Sequence, residues 1–313
     1  MTVVLVSGAS GNVGREVVRA CLARGLRVRA AGRDPNHARP ALTGDVEWTA
    51  LDYRDPATFS AAAEGTDALF LLRPPAIANV RDTLLPFVDE ARRRGVRQVV
   101  FLSVAGAANN KLVPHHAVEQ HLSRGTGWTI LRPGFFAQNF GDAYRRDIVE
   151  DSRVYVPAGR GRVAFIDVRD LADVAASALA SPAEHDERAY TLTGPEAIDF
   201  ATAASLLTEA LGRDIRYDPA GIVGYVRHLR RRKMPWAQVG VQTVLHAGLR
   251  LGQAEHVDPT LARLLGRRPR TLREYIGDHR SLWSGNGDDP GKTVSSGSGD
   301  ASEASSRGRR EGT

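Results

Sequence analysis

Apolar residues recur along this chain in two rhythms. Runs such as Val3-Val4-Leu5-Val6, Ala68-Leu69-Phe70-Leu71-Leu72 and Val99-Val100-Phe101-Leu102 are apolar at every position, as in strands covered on both faces. Between them lie stretches whose apolar residues return every three or four positions, as at Val13, Val17 and Cys21. The pattern predicts strands over 3–6, 26–31, 45–51, 67–72, 98–103 and 128–132. It predicts helices from Val13, over 57–64 after the Asp55-Pro56 start signal, over 77–94 and over 114–123. Strand and helix alternate through the first 132 residues, which predicts an α/β fold with a doubly wound, parallel, Rossmann-type sheet.

Beyond that point the rhythm changes. A short strand is expected over 163–167, with Asp170 capping a helix through Leu179. A strand and turn follow over 190–195, a helix from Asp199 to Leu211, and a strand over 214–217. From Gly221 the pattern is helical, with apolar positions at Val223, Val226, Leu229, Val239, Val241, Leu245 and Leu249. The expected organisation is a nucleotide-binding domain over 1–155, to which 162–181 returns, and a smaller, mainly helical region over 182–283. An open α/β sheet gives a substrate few walls, so this second region is expected to cover the crevice. Residues 284–313 are rich in Gly, Ser and Asp with almost no apolar side chain, and are expected to be disordered.

The first strand runs into Gly8-Ala9-Ser10-Gly11-Asn12-Val13-Gly14, and a helix opens there. Gly8 allows a tight exit from the strand. Gly11 removes a Cβ where backbone approaches a diphosphate, and Gly14 permits close helix–strand packing. The free amides and dipole of the helix N-terminus favour an anion. The spacing is GxxGxxG rather than the GxGxxG of the standard dinucleotide fingerprint. At the tip of the second strand, an acid would hold a ribose 2′-hydroxyl and an arginine a 2′-phosphate. Arg33 stands there, while Asp34 is placed to cap the turn before Pro35. The reading therefore favours NADP(H) over NAD(H). Asp52, Leu72 and Arg73 follow carboxyl ends of strands and should line the crevice.

Composition narrows the setting. Hydrophobic residues make up 42% and charged residues 25% of 313, as in ordinary globular proteins. No apolar run is long enough to span a membrane, and no leader pattern precedes the first strand. A cytoplasmic protein is expected. Cys21, the single cysteine, lies on the apolar helix face and reads as a core thiol. The net charge is +6, with arginines spread along the whole chain. The densest basic run, 227–233, lacks the aromatic interleaving of a nucleic-acid module and is expected to be a solvated helix face. No metal-ligand spacing is found. The expected partner is a small-molecule substrate, with no nucleic acid and no membrane, and a homodimer is left open.

Several stretches together resemble the NmrA-like branch of the atypical short-chain dehydrogenase/reductase superfamily. They are the GASGNVG loop, Gly32-Arg33, Leu102-Ser103-Val104-Ala105-Gly106-Ala107 and His116-Ala117-Val118-Glu119-Gln120-His121-Leu122. To these are added Leu131-Arg132-Pro133-Gly134-Phe135-Phe136 with Asn139, and Phe165-Ile166-Asp167-Val168-Arg169-Asp170-Leu171-Ala172. The chain is similar to the quinone- and azo-reductase-type members over roughly residues 2 to 280. The resemblance implies NADP(H) held by Gly8, Ser10, Gly11, Asn12, Val13, Gly14 and Arg33. It implies further cofactor contacts from Asp52, Leu72, Arg73, Ser103, Pro133 and Phe135, and substrate contacts from Phe136 and Asn139.

Catalytic superfamily members carry a Tyr-x-x-x-Lys pair on the helix after the fifth strand, where the tyrosine gives a proton to a substrate carbonyl. No such pair occurs in this sequence. With His116 at the lysine position, the tyrosine position holds Leu112. His116 is the candidate catalytic or ribose-holding residue, with His115 beside it. Three functions are then expected in competition. One is an NADPH-dependent oxidoreductase reducing a flat organic acceptor such as a quinone or a biosynthetic intermediate. The second is a non-catalytic NADP(H) sensor of NmrA type. The third is a pathway-specific epimerase or cyclase.

Overall fold

In the computed structural model, which describes residues 2–33 and 46–284, the chain forms a seven-stranded parallel sheet with two small accessory sheets. In chain order the strands are β1 (Val3–Ser7), β2 (Arg27–Gly32), β3 (Val46–Ala50), β4 (Ala68–Leu72), β5 (Gln98–Leu102) and β6 (Trp128–Pro133). They continue with β7 (Arg153–Val156), β8 (Arg162–Val163), β9 (Arg188–Leu192), β10 (Ile198–Asp199) and β11 (Arg216–Pro219). The main sheet runs β3-β2-β1-β4-β5-β6-β9. The strand order reverses its direction of winding between the parallel neighbours β1 and β4, so the connections leaving their carboxyl ends diverge and leave a crevice. β8 pairs antiparallel with β10, and β11 parallel with β7.

The pleat explains the uninterrupted apolar runs. Val4, Val6, Phe70 and Val100 face α1 (Asn12–Ala23) on one side of the sheet. Leu5, Leu69, Leu71, Val99 and Phe101 face the other side. That side is covered by α2 (Phe59–Ala63), α3 (Leu84–Arg93) and α4 (Pro114–Leu122). After α5 (Arg145–Asp151), the helix α6 (Val168–Ala180) returns to pack beside α1. Cys21 is buried in this core, and burial pushes its thiol up to about 12, which keeps it unreactive.

A third core lies outside the sheet. It joins Phe140, Tyr144 and Phe165 to side chains of α8 (Phe200–Leu211), α9 (Ile222–Arg231) and α10 (Trp236–Leu249), following the short α7 (Pro182–His185). α12 (Leu272–Asp278) closes it with Tyr275 and Ile276, while α11 (Thr260–Leu265) sends Leu261 back to the sheet. The region after β6 is thus mainly helical, with its own aromatic interior.

Four local expectations need correction. The helix expected over 77–94 starts only at Leu84. Pro86 lacks an N–H and its ring clashes with the carbonyl four residues back, so it fits only within a first turn. The strand expected over 163–167 is cut to Arg162–Val163, and Ile166 makes a single bridge to Phe136. Asp170 does not cap α6. Asp167 does, accepting from the Arg169 amide, and Asp170 lies buried in the first turn against Arg267 and Arg270. Residues 188–192 add β9 to the main sheet, although the expected organisation places them in the covering region over 182–283. Asp34, Asp45 and the tail beyond Ser284 lie outside the described residues.

Candidate active site

The glycine loop sits at the carboxyl end of β1. Gly8 has φ +65°, a left-handed conformation that lets the chain turn off the strand. The Gly11 amide donates to the Gly8 carbonyl at 3.0 Å, closing the turn. A Cβ on Gly14 would stand 2.1 Å from the Gly8 oxygen and 2.7 Å from Ala9 Cα, so only glycine lets α1 lie this close. A Cβ on Gly11 would meet nothing nearer than that oxygen at 3.4 Å, and its outer side is open. No side chain caps the helix at Gly11, and no acid stands in the first turn. The amides of the α1 N-terminus therefore retain donor capacity for an anion, and the loop fits a dinucleotide diphosphate.

Neighbouring strand ends close round the loop. The Ser7 hydroxyl donates to the Phe70 carbonyl at 3.0 Å and accepts the Leu72 amide at 2.9 Å, tying β1 to β4 at the crevice. Leu72 lies beneath Gly8. Arg33 is exposed, directly after β2. Asp52 follows β3, with one carboxylate oxygen accepting the Arg54 amide at 2.9 Å. Asn12 bonds to Asp142, linking the phosphate loop to the segment after Asn139. Burial raises the Asp142 carboxyl above the usual range.

Arg73 turns inward. Its Nε donates to His115 Nε2 at 3.2 Å, and its Nη1 donates to the carbonyls of Pro74 at 3.1 Å and Ile77 at 2.5 Å. His115 also lies against Phe101. Burial, with the Arg73 charge second, lowers the His115 pKa to about 4. His116 points elsewhere. Its Nδ1 lies 2.9 Å from the Ala107 carbonyl, and its ring lines a groove of about 360 Å³ along α4 with Arg81, Lys111 and Arg124. A carbonyl only accepts, so Nδ1 carries a proton. Of the two histidines, it is His115 that packs against β5 and Arg73.

Ser103 is buried, and its hydroxyl donates to Glu119. Glu119 also takes Arg132 Nε at 3.0 Å and Nη2 at 2.8 Å, so one buried carboxylate ties α4 to the ends of β5 and β6. After Pro133 the two aromatics part. Phe136 packs with the sheet core, whereas Phe135 packs with the aromatic core. Phe135 meets Phe165 edge-on at 6.2 Å and His246 at 5.4 Å. They do not form one stacked wall. The Asn139 carbonyl accepts the Tyr144 amide at 3.0 Å.

Sequence reasoning did not find the Arg73–His115 contact, the Glu119–Arg132 pair or the link from Asn12 to Asp142. The pair left a signal: Glu119 lies between Val118 and Leu122 on the buried side of α4. A carboxylate there needs a cationic partner.

Comparison with known proteins agrees with this geometry. The model of a family described as NAD(P)H-binding matches residues 8–182. The NAD(P)H azoreductase of Xenophilus azovorans is 33% identical over 287 residues, 90% of this chain and 99% of the relative. The structure of Citrobacter sp. triphenylmethane reductase complexed with NADP(H) matches with a TM-score of 0.77 at 22% identity, covering 89% of this chain and 99% of that one. The NADPH complex of an NADPH-dependent quinone oxidoreductase from Escherichia coli gives 0.78 at 22%, covering 88% and 99%. The chain belongs to the NAD(P)H-binding family, which it shares with NAD(P)H-dependent oxidoreductases, and it has the fold of the reductases just described.

Proposed function

We propose that this protein is an NADPH-dependent reductase that delivers hydride to a small, flat organic acceptor of the quinone or azo type, without a Tyr-x-x-x-Lys pair. The observation that carries the reading is an uncapped, acid-free helix N-terminus at Gly11 beside the crevice, in a chain whose sequence holds no Tyr-x-x-x-Lys pair. The bound nicotinamide supplies the hydride. Backbone amides of the α1 N-terminus, from Asn12 to Gly14, hold the diphosphate, and the side chain of Arg33 takes the 2′-phosphate. Leu72, Pro133 and Phe135 bound the nicotinamide end, and Phe136 and Asn139 face the acceptor. Acceptors whose reduced products take their proton from water need no tyrosine. The azoreductase, quinone oxidoreductase and triphenylmethane reductase named above fit that chemistry by their names.

The test is NADPH oxidation by the purified protein against a panel of quinones and azo dyes. Turnover supports the reading. Tight NADPH binding without turnover of any acceptor would leave a non-catalytic sensor, consistent with the missing proton donor. Conversion of a dedicated metabolite with no net NADPH consumption would point to an epimerase or cyclase.

A further inference from the structure

Helices α9 and α10 carry an apolar face that the fold leaves open. Ile222, Val223, Trp236, Val241, Val244, Leu245 and Leu251 are exposed large apolar residues, and outside 222–251 the described residues add only Leu112 and Val257. On α10 the buried side holds Val239, Thr243, His246 and Leu249. At about 100° per residue, Val241, Val244 and Leu245 stand on the opposite side. His246 meets Phe135 and Tyr144, so the exposed side looks away from the aromatic core and the crevice segment. α9 repeats the arrangement: Tyr225 and Leu229 are buried, and Val223, Arg227 and Arg231 form the outer stripe. A helix apolar on both sides is normally buried on both, whereas Val244 is 72% exposed.

The charge of these two helices indicates what covers them. No carboxylate occurs between Asp218 and Glu255, while Arg227, Arg230, Arg231, Arg232, Lys233 and Arg250 all do. Arg232 is matched by Asp147, Glu150 and Asp151. Arg227, Arg231 and Lys233 are exposed and make no ion pair among the described residues. Arg230 lies over the exposed Trp236 ring at 4.5 Å, holding the indole beside these cations. A second copy docked by the same face would set Arg227, Arg231 and Lys233 against their own counterparts, with no acid to receive them. Aliphatics, a tryptophan and unpaired cations without acids are the composition of helices that lie in a bilayer interface.

We propose that the α9–α10 pair docks the protein on an anionic lipid surface. No described helix is long and apolar enough to cross a membrane, so the contact is peripheral. The proposal does not depend on which acceptor is reduced. The test sediments the full chain with vesicles of phosphatidylcholine alone and with vesicles containing phosphatidylglycerol. The expected result is salt-sensitive pelleting with the anionic vesicles only. Joint substitution Arg227→Glu, Arg231→Glu and Lys233→Glu should weaken it on the order of a hundredfold or more. Joint Val244→Ser and Leu245→Ser should weaken it at unchanged charge. Both variants should bind NADPH as the parent does, which shows that they are folded. Failure of the parent to pellet with anionic vesicles would overturn the proposal. So would full pelleting of the triple variant, or a solution dimer that Val244→Ser with Leu245→Ser converts to monomer.

Discussion

The guanidinium of Arg73 donates to Nε2 of His115 at 3.2 Å, and the contact fixes the state of the imidazole. Nε2 accepts, so the neutral ring carries its proton on Nδ1. Its pKa falls to about 4, leaving it uncharged near neutrality. His115 therefore holds Arg73, and Arg73 in turn pins the carbonyls of Pro74 and Ile77 at the mouth of the crevice.

From this follows a contrast between neighbouring histidines. His115→Ala frees Arg73 and the 74–77 loop, and should lower kcat/KM with NADPH by roughly tenfold to a hundredfold through misplacement. His116→Ala removes a ring that faces the groove along α4, and should change kcat/KM by less than about threefold. Steady-state kinetics of the two variants checks this. A larger loss in His116→Ala would return the catalytic role to that residue.

Arg33 is placed by position alone, exposed at the tip of β2. A guanidinium bonded to a phosphate contributes about 1.5–3 kcal/mol. Arg33→Ala should accordingly weaken NADPH by roughly tenfold to a hundredfold and leave NADH nearly unchanged. Calorimetric titration with both nucleotides measures the ratio, and equal losses would remove Arg33 from the 2′-phosphate site.

Much of this arrangement can be read from the chain, for physical reasons that differ by element. β1, β4 and β5 are covered on both faces, so their runs are apolar throughout and hard to mistake. The glycine loop is legible because Gly14 admits no Cβ against the Gly8 carbonyl. The start of α3 was obscured because apolar spacing continues upstream of Pro86, and only the missing N–H of proline decides it. Asp167 and Asp170 both look like caps in sequence. The choice is made by Arg267 and Arg270, far along the chain, which claim Asp170. The meeting of Ser103, Glu119 and Arg132 is tertiary, and no local pattern states it.

The two inner glycines separate packing from ligand binding. Gly14→Ala forces a methyl into the Gly8 carbonyl at 2.1 Å, so α1 must move off β1. The expected cost is at least roughly 2 kcal/mol of stability, with loss of NADPH binding. Gly11→Ala meets only an oxygen at 3.4 Å, so the fold should keep its stability. Its methyl instead obstructs the diphosphate approach and should weaken NADPH by roughly tenfold or more. Denaturant unfolding beside nucleotide titration distinguishes the two. Unchanged affinity in a stable Gly11→Ala protein would mean that the diphosphate lies elsewhere.

His246 gives the fold a predictable acid limb. Its Nδ1 lies 2.6 Å from the Gln242 carbonyl, so that nitrogen carries the proton, and Nε2 accepts the Tyr144 hydroxyl at 2.6 Å. The ring is therefore held neutral, and burial lowers its pKa from 6.5 to about 4. Between those values the unfolded chain binds more protons than the folded one, so stability rises with pH. The contribution is complete above the unfolded value and is lost as pH falls toward the folded value. For this one group, moving from pH 7 to pH 5 should cost about 2 kcal/mol. His246→Gln keeps an acceptor for Tyr144 without a titrating ring. Denaturant midpoints across this range should thus fall less steeply for the variant than for the parent. Parallel curves would show that His246 is charged in the fold and that the Tyr144 hydroxyl is not its donor.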